Sequence, residues 1–370
     1  MRDIVGTLRH WSRQSVAHID FPLLWIALAI FAMGLMTVNS ATYDVNNRLV
    51  SQLLNGGVAL VIMWFTSRMP PQALMRIAVP LYVVGVVLLI AVFLFGVKVN
   101  GARRWLSFGF TRIQPSEIMK IAMPLMLAWY FHKYEAALKL RHYAMAALLL
   151  LVPFALIAKQ PDLGTAILVG AAGFYIIFLA GLPWKFIIAL LVLAGGSAPF
   201  VWNMLHDYQQ KRILTLLDPT SDPLGAGYHI IQATIAIGSG GAFGKGYLNG
   251  TQTHLEFIPE KHTDFIFAVF SEEWGLVGNC VLLVLYLMLI TRGLMIAVGA
   301  PTLFTRLLAG AISLIFFTYA FVNMGMVSGI LPVVGVPLPF VSYGGTALVT
   351  LFLGIGILMS IQTHRMLVKK

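Results

Sequence analysis

The stretch FIPEKHTDFIFAVFSEEWG, residues 257–275, places charge where charge is expensive. Glu260, Lys261, His262 and Asp264 crowd the mouth of an apolar run, and Glu272 and Glu273 lie two turns farther along it. A charged side chain at the centre of a bilayer costs at least about 2.5–3.5 kcal/mol, so each one needs a partner, a cavity or a chemical task. With Thr263 as N-cap, Asp264 is expected in the first turn of a helix, on a face that Ala268, Ser271 and Gly275 keep free of large side chains. There a carboxylate can cap the helix, take a proton from a reacting hydroxyl or hold a metal ion. The helix terminus is expected to keep it ionised, which lowers its pKa and makes it a weak base. Glu256, Glu260 and His262 are expected beside it at the same rim.

Three other segments supply matching chemistry. KVNGARRWLSFGFTRIQPSEIMK, residues 98–120, collects Lys98, Arg103, Arg104 and Arg112 in one loop. Forked guanidinium donors suit phosphate oxygens, so this loop is either an anion site or a headgroup-binding loop. Just beyond it, Glu117 and Lys120 stand three residues apart, able to pair on one helix face as a structural bridge or as the lining of a polar cavity. In KQPDLGTA, residues 159–166, Pro161 ends one helix and Asp162 starts the next, with Lys159 alongside. GILPVVGVPLPFVSYGGTAL, residues 329–348, would break a helix repeatedly. Broken backbone at membrane depth must be packed in protein or line a watery cavity, so Ser342 and the amides of residues 343–345 either pack or face a ligand.

The elements that must position these residues are membrane helices. Of 370 residues 59% are hydrophobic and only 11% charged, with a mean hydropathy of +0.85. Ten windows long enough to cross a bilayer occur near 21–38, 49–67, 77–97, 114–131, 143–159, 162–182, 184–204, 264–290, 306–327 and 339–362. They lack the period-2 alternation of a membrane barrel, so the expected fold is an all-α polytopic bundle, treated as one domain over residues 1–370. One loop is long, about 205–263, and YHIIQATIAIGSGG within it has the pattern of an amphipathic helix ended by glycines. The first 20 residues lack the apolar core of a cleaved signal, and the one cysteine, Cys280, leaves no disulfide framework. The net charge of +11 does not indicate nucleic acid. With both termini inside, 14 of the 25 basic residues fall in cytoplasmic segments, whereas 11 of the 14 acids fall outside or at the outer membrane level. These features describe an outward-facing, anion-binding membrane protein, and leave an enzyme on a lipid-linked substrate and a transporter equally open.

The blocks NGARRWL, QPSEIMK, KQPDLGTA, FIPEKHTDFIFAVFSEEWG and GILPVVGVPLPFVSYGGTAL resemble, in order, the signature blocks of the SEDS family (shape, elongation, division and sporulation). HIDFPLL at 18–24 and VVGVPLPFVSYGG look like the rod-shape branch more than the division branch. The resemblance implies ten spans in a bacterial cytoplasmic membrane and a peptidoglycan glycosyltransferase that polymerises lipid II on the outer face. By the HTDFIF match, Asp264 is carried over as the catalytic residue. Trp105, Glu117, Lys120 and Asp162 are carried over as cavity residues, with Arg103, Arg104, Lys159, Glu260, His262 and Ser342 as further candidates for substrate binding. Asp264 is then expected to take the proton of the acceptor 4-hydroxyl, or alternatively to hold a divalent cation (Mg or Mn). The implied partner is a class B penicillin-binding protein, docked by family analogy on the eighth and ninth spans and neighbouring outer loops. A lipid II flippase and a non-catalytic scaffold are the alternatives.

Overall fold

The computed structural model describes residues 18–42, 47–99, 102–107, 112–205, 207–222, 225–255, 257–258 and 260–367. Each of the ten apolar windows coincides with a helix. In chain order these are α1 (Phe21–Ala41), α2 (Asn47–Arg68), α3 (Pro71–Phe95), α4 (Pro115–Lys133), α5 (Leu140–Lys159), α6 (Leu163–Leu179) and α7 (Trp184–Met204), followed after the long loop by α11 (Ile266–Val298), α12 (Leu303–Val327) and α13 (Gly345–Leu367). Seven of them are long and apolar enough to cross a membrane; α6 is shorter at 17 residues, and α4 carries Glu117 and Lys120. The long loop folds into α8 (Asp207–Leu217), α9 (Ala226–Ser239) and the single turn α10 (Thr251–His254). The amphipathic segment expected at YHIIQATIAIGSGG is α9. Residues 97–113 form three short antiparallel strands, β1 (Val97–Val99), β2 (Ala102–Ser107) and β3 (Arg112–Ile113), in the order β1-β2-β3.

Local chemistry sets the helix ends. Asp20 caps α1 by accepting from Leu23 N at 3.0 Å, and Asp162 caps α6 by accepting from Thr165 N at 3.3 Å. Proline enters α1, α3 and α4 in the first turn, where the missing N–H costs nothing. The helix α12 is the centre of the bundle: 78% of its apolar window is buried, against 22–39% for α1, α2, α3, α5 and α11. It packs on α11, α6 and α4, while α13 packs on α2. By contrast α7 leaves Ile188, Leu191, Val192 and Phe200 exposed, as a lipid-facing helix does.

The charges of residues 271–275 have a structural explanation. Gly275 takes φ 63°, ψ −163° and breaks α11, which frees backbone groups on both sides of it. The glycine-rich loop after α9 fills the gap: Lys245 N and Gly246 N donate to Glu272 O and Glu273 O, and Leu276 N and Val277 N donate to Gly241 O and Ala242 O. The Glu272 carboxylate accepts from Lys245 Nζ at 2.7 Å, Gln252 N at 2.9 Å and Thr253 N at 3.3 Å, so it caps α10. Glu273 accepts from Ser40 Oγ on α1. These acids bind the long loop to the bundle.

Candidate functional site

Asp264 is not a helix cap. The helix begins at Ile266 with Phe265 at its N-cap, so Asp264 stands one residue before the cap, outside the helix. Thr263 donates its hydroxyl to Glu260 Oε2 at 3.0 Å rather than capping α11. The expected low pKa is therefore corrected. Burial pushes the Asp264 carboxyl up to about 6, the charges of Glu260 and Asp162 add to that, and Arg104 and Arg212 oppose it. A carboxylate with a pKa near 6 is ionised at neutral pH and is a far better base than a capped one.

Backbone interactions from two other elements fix its place. Asn323 on α12 is buried and donates to Asp264 O at 2.9 Å and Val336 O at 2.7 Å. The Ser342 hydroxyl donates to Thr263 O at 2.7 Å and accepts from Leu338 N at 2.8 Å. Tyr343 N donates to His262 O at 2.9 Å, and Gly344 N to Gln52 Oε1 at 3.3 Å. Ser342 and the Tyr343 amide therefore hold the turn that carries Asp264, while the Gly344 amide ties the segment to α2. The broken segment 329–344 closes under the carboxylate. A Cβ at Gly335, where φ is +75°, would stand 3.2 Å from Asp264 Oδ2, so only glycine permits this approach. On its far side the same segment meets Gly164, beside Asp162: a Cβ there would fall 2.7 Å from Val334 O.

Asp162 gathers the second cluster. It is buried, accepts from Gln114 Nε2 at 3.0 Å, and has Arg104 Nη1 at 4.0 Å. Arg104 also donates to Pro161 O. Arg104 rises from β2, whose partner strand places Val97 opposite Trp105 and Lys98 opposite Arg103. The side chains of Lys98, Arg103 and Arg112 lie outside the described residues, as does Glu256.

Glu117 and Lys120 form the third cluster, paired at 2.6 Å. Lys120 is buried with its ammonium 5.3 Å from the Tyr319 ring centroid, and Thr350 donates to Glu117 at 3.4 Å. Glu117 and Gln114, with Asn55, Thr346 and Thr350, line a cavity of about 640 Å³ whose other walls are mostly apolar, among them Leu81, Ile118, Val349 and Leu353. Gln114 thus connects the cavity to Asp162 and Arg104. Of the remaining candidates, Glu260 and half-buried His262 lie on the rim with Asp264, Glu260 in a left-handed conformation at φ 46°. Lys159 is exposed on the last turn of α5. Among the described residues, no three His, Cys, Asp or Glu side chains converge as metal ligands.

Asn323, Gln114, Tyr319 and Arg212 were not singled out from sequence. Asn323 carried a signal: it is a lone amide in an apolar span whose one charge, Arg306, lies at the opposite end, and there a polar group needs a reason.

The profile described as cell cycle protein (FtsW/RodA/SpoVE) matches residues 19–367. The chain is 51% identical over 357 residues to the peptidoglycan glycosyltransferase MrdB of Escherichia coli (strain K12), a match covering 95% of this chain and 96% of that one. It matches a chain of a peptidoglycan synthase complex, solved to describe structural coordination of polymerization and crosslinking, with TM-score 0.82 and 35% identity over 94% of this chain and 98% of that one. The crystal structure of Thermus thermophilus rod shape determining protein RodA matches with TM-score 0.71 and 31% identity, covering 94% and 97%.

Proposed function

The chain belongs to the FtsW/RodA/SpoVE family of cell cycle proteins, and we propose that it is a peptidoglycan glycosyltransferase polymerising lipid II during cell elongation. The observation that carries the mechanism is a partly exposed carboxylate with a pKa near 6, held outside its helix within electrostatic range of Arg104. The donor sugar is joined through its anomeric carbon to undecaprenyl pyrophosphate, a leaving group that needs neutralised charge more than a proton. One base then suffices, where a glycosidase needs two carboxyl groups. Asp264 takes the proton of the acceptor GlcNAc 4-hydroxyl as its oxygen bonds to the donor MurNAc C1. The C1–O bond to pyrophosphate breaks with its electron pair, and a single inversion turns an α-linked donor into a β-1,4 glycan.

Arg104 supplies forked donors for the departing pyrophosphate, with Arg103 beside it on β2. The apolar cavity under Glu117 is suited to the isoprenoid end of such a substrate. All ten helices span the inner membrane in this account, with both termini in the cytoplasm and α8–α10 outside, which places Asp264 at the outer face. A groove of about 250 Å³ between α11 and α12, walled by Phe267, Leu283, Tyr286, Phe317 and Phe321, supports docking of the transmembrane helix of a class B penicillin-binding protein on those two helices.

The test is to incubate the purified chain and such a partner with lipid II and resolve the products by length. Glycan strands are expected. No strands, with lipid II instead crossing liposome membranes, would transfer the assignment to a flippase. A role as mere scaffold would give neither.

A further inference from the structure

The Asp264 carboxylate and Gly335 meet so closely that glycine is required, and one side chain holds both parties to that contact. Asn323, one turn from the end of α12, is fully buried. Its amide donates to Asp264 O at 2.9 Å and to Val336 O at 2.7 Å. The first carbonyl belongs to the residue that carries the carboxylate. The second belongs to the residue after Gly335, where a Cβ would stand 3.2 Å from Asp264 Oδ2. A single planar amide therefore fixes the distance between the reacting group and the backbone behind it. The Ser342 hydroxyl makes a second clip beside it, between Thr263 O and Leu338 N, so the turn stays attached to the segment without Asn323 but is no longer pinned at Asp264.

No smaller polar group on this helix face does the same. On α12 itself the hydroxyls of Ser313 and Thr318 donate to carbonyls four residues back, Ala309 O and Leu314 O, and so stay within their own helix. Only an amide brings two hydrogens that can both reach outward. The buried Asn323 Oδ1 has no hydrogen-bond partner among the described residues, so the side chain acts through its donors alone. Residues 319–344 carry no charge, Tyr319 and Tyr343 being the titratable groups among them. The charges that face Asp264 come from other places: Glu260, Lys261 and His262 on its own turn, Asp162 at the start of α6, Arg104 on β2, Arg212 on α8, and His229 on α9, whose ring lies 5.9 Å from that of Phe265. Asn323 thus acts on the carboxylate by placing it and by keeping one side of it dry.

We propose that Asn323 is a positioning residue for the polymerisation proposed above, its two amide hydrogens pinning Asp264 against the broken segment so that the carboxylate meets the acceptor hydroxyl in one fixed place. The role rests on that reading of the site. A base displaced by about 1 Å loses about 10²-fold in rate even when the change lies away from the reacting atoms.

Single-turnover polymerisation of lipid II by the full chain with its penicillin-binding partner is followed against pH and lipid II concentration for wild type, Asn323→Leu and Asn323→Ser. Leucine keeps the branching of asparagine without a donor, and serine can bond within its own helix as Ser313 does. Both variants are expected to lower the maximal rate about 10–100-fold while the half-saturating lipid II concentration changes less than about twofold. Their acid limb is expected to move down from about pH 6 to about pH 5 or lower, because the released carboxyl gains water. Tyr175→Phe removes the 2.6 Å hydrogen bond to Thr318 on the same helix and controls for general loosening; it is expected to keep the wild-type rate and limb. The proposal is overturned if a folded variant keeps the wild-type rate and limb, if the loss lies wholly in the half-saturating concentration, or if Tyr175→Phe moves the limb as far. Asn323→Ser decides the matter should Asn323→Leu not fold. No strands from wild type would overturn the polymerase reading and this role with it, whereas wild-type strands with full-rate variants would overturn the role alone.

Discussion

Replacing Lys120 by methionine is expected to cost about 3–5 kcal/mol of stability, because it strands the Glu117 carboxylate without its counter-ion. The Lys120 side chain is 4% exposed and that of Glu117 13%, so water screens the pair little. Glu117 would retain only its 3.4 Å hydrogen bond from Thr350. Thermal melting of the purified chain in nanodiscs measures the loss. The double variant Lys120→Met/Glu117→Gln removes both charges and should recover most of it, since an uncharged pair of similar volume is close to neutral. Lipid II polymerisation should stay low in the double variant, because Glu117 lines the cavity beneath Arg104 and Asp162. Recovery of both stability and activity would reduce the pair to a structural bridge.

Asp264→Asn has the opposite signature. The amide keeps the shape of the carboxylate and cannot take a proton, so polymerisation should fall about 10²–10⁴-fold. Folding should not suffer. Burial raises the Asp264 pKa from 3.8 to about 6. The folded state therefore favours the protonated form, and stability declines as pH rises from about 4 to 6 and stays reduced above that. The ionised carboxylate thus costs the fold up to about 3 kcal/mol at neutral pH. A variant that melts higher than wild type and polymerises little is the expected result, the trade expected of an active-site charge. Lower stability with unimpaired polymerisation would return Asp264 to a structural role. Partner binding should be unchanged, because the groove between α11 and α12 does not include Asp264.

Much of this was legible in the chain because bilayers leave few options for backbone and charge. Each of the ten apolar windows became a helix, as the requirement for internally satisfied backbone demands. The pair Glu117 and Lys120 was visible from spacing alone, and Asp162 caps α6 as a carboxylate after Pro161 should. What sequence could not show was tertiary. Periodicity assumed one continuous helix from Thr263 onward, yet the tertiary bonds from Ser342 and Asn323 hold residues 263–264 outside it. That difference reverses the expected pKa of the central residue. Likewise Glu272 found its partners in Lys245, 27 residues back in sequence, and in the amide of Gln252 on α10, 20 residues back, which no local pattern encodes. The amides of residues 343 and 344 looked available from local composition and are in fact used by His262 and Gln52.

The central claim is that a single carboxylate with a pKa near 6 takes the acceptor proton. The measurement that tests it most directly is the pH dependence of single-turnover lipid II polymerisation by the wild-type chain with its partner. The rate should be level from about pH 7 upward and fall about tenfold per pH unit below about 6, as Asp264 gains its proton. The small residual rate of Asp264→Asn should lack that limb. A wild-type rate that stays level down to about pH 5, or an acid limb that persists unchanged in the variant, would contradict the account.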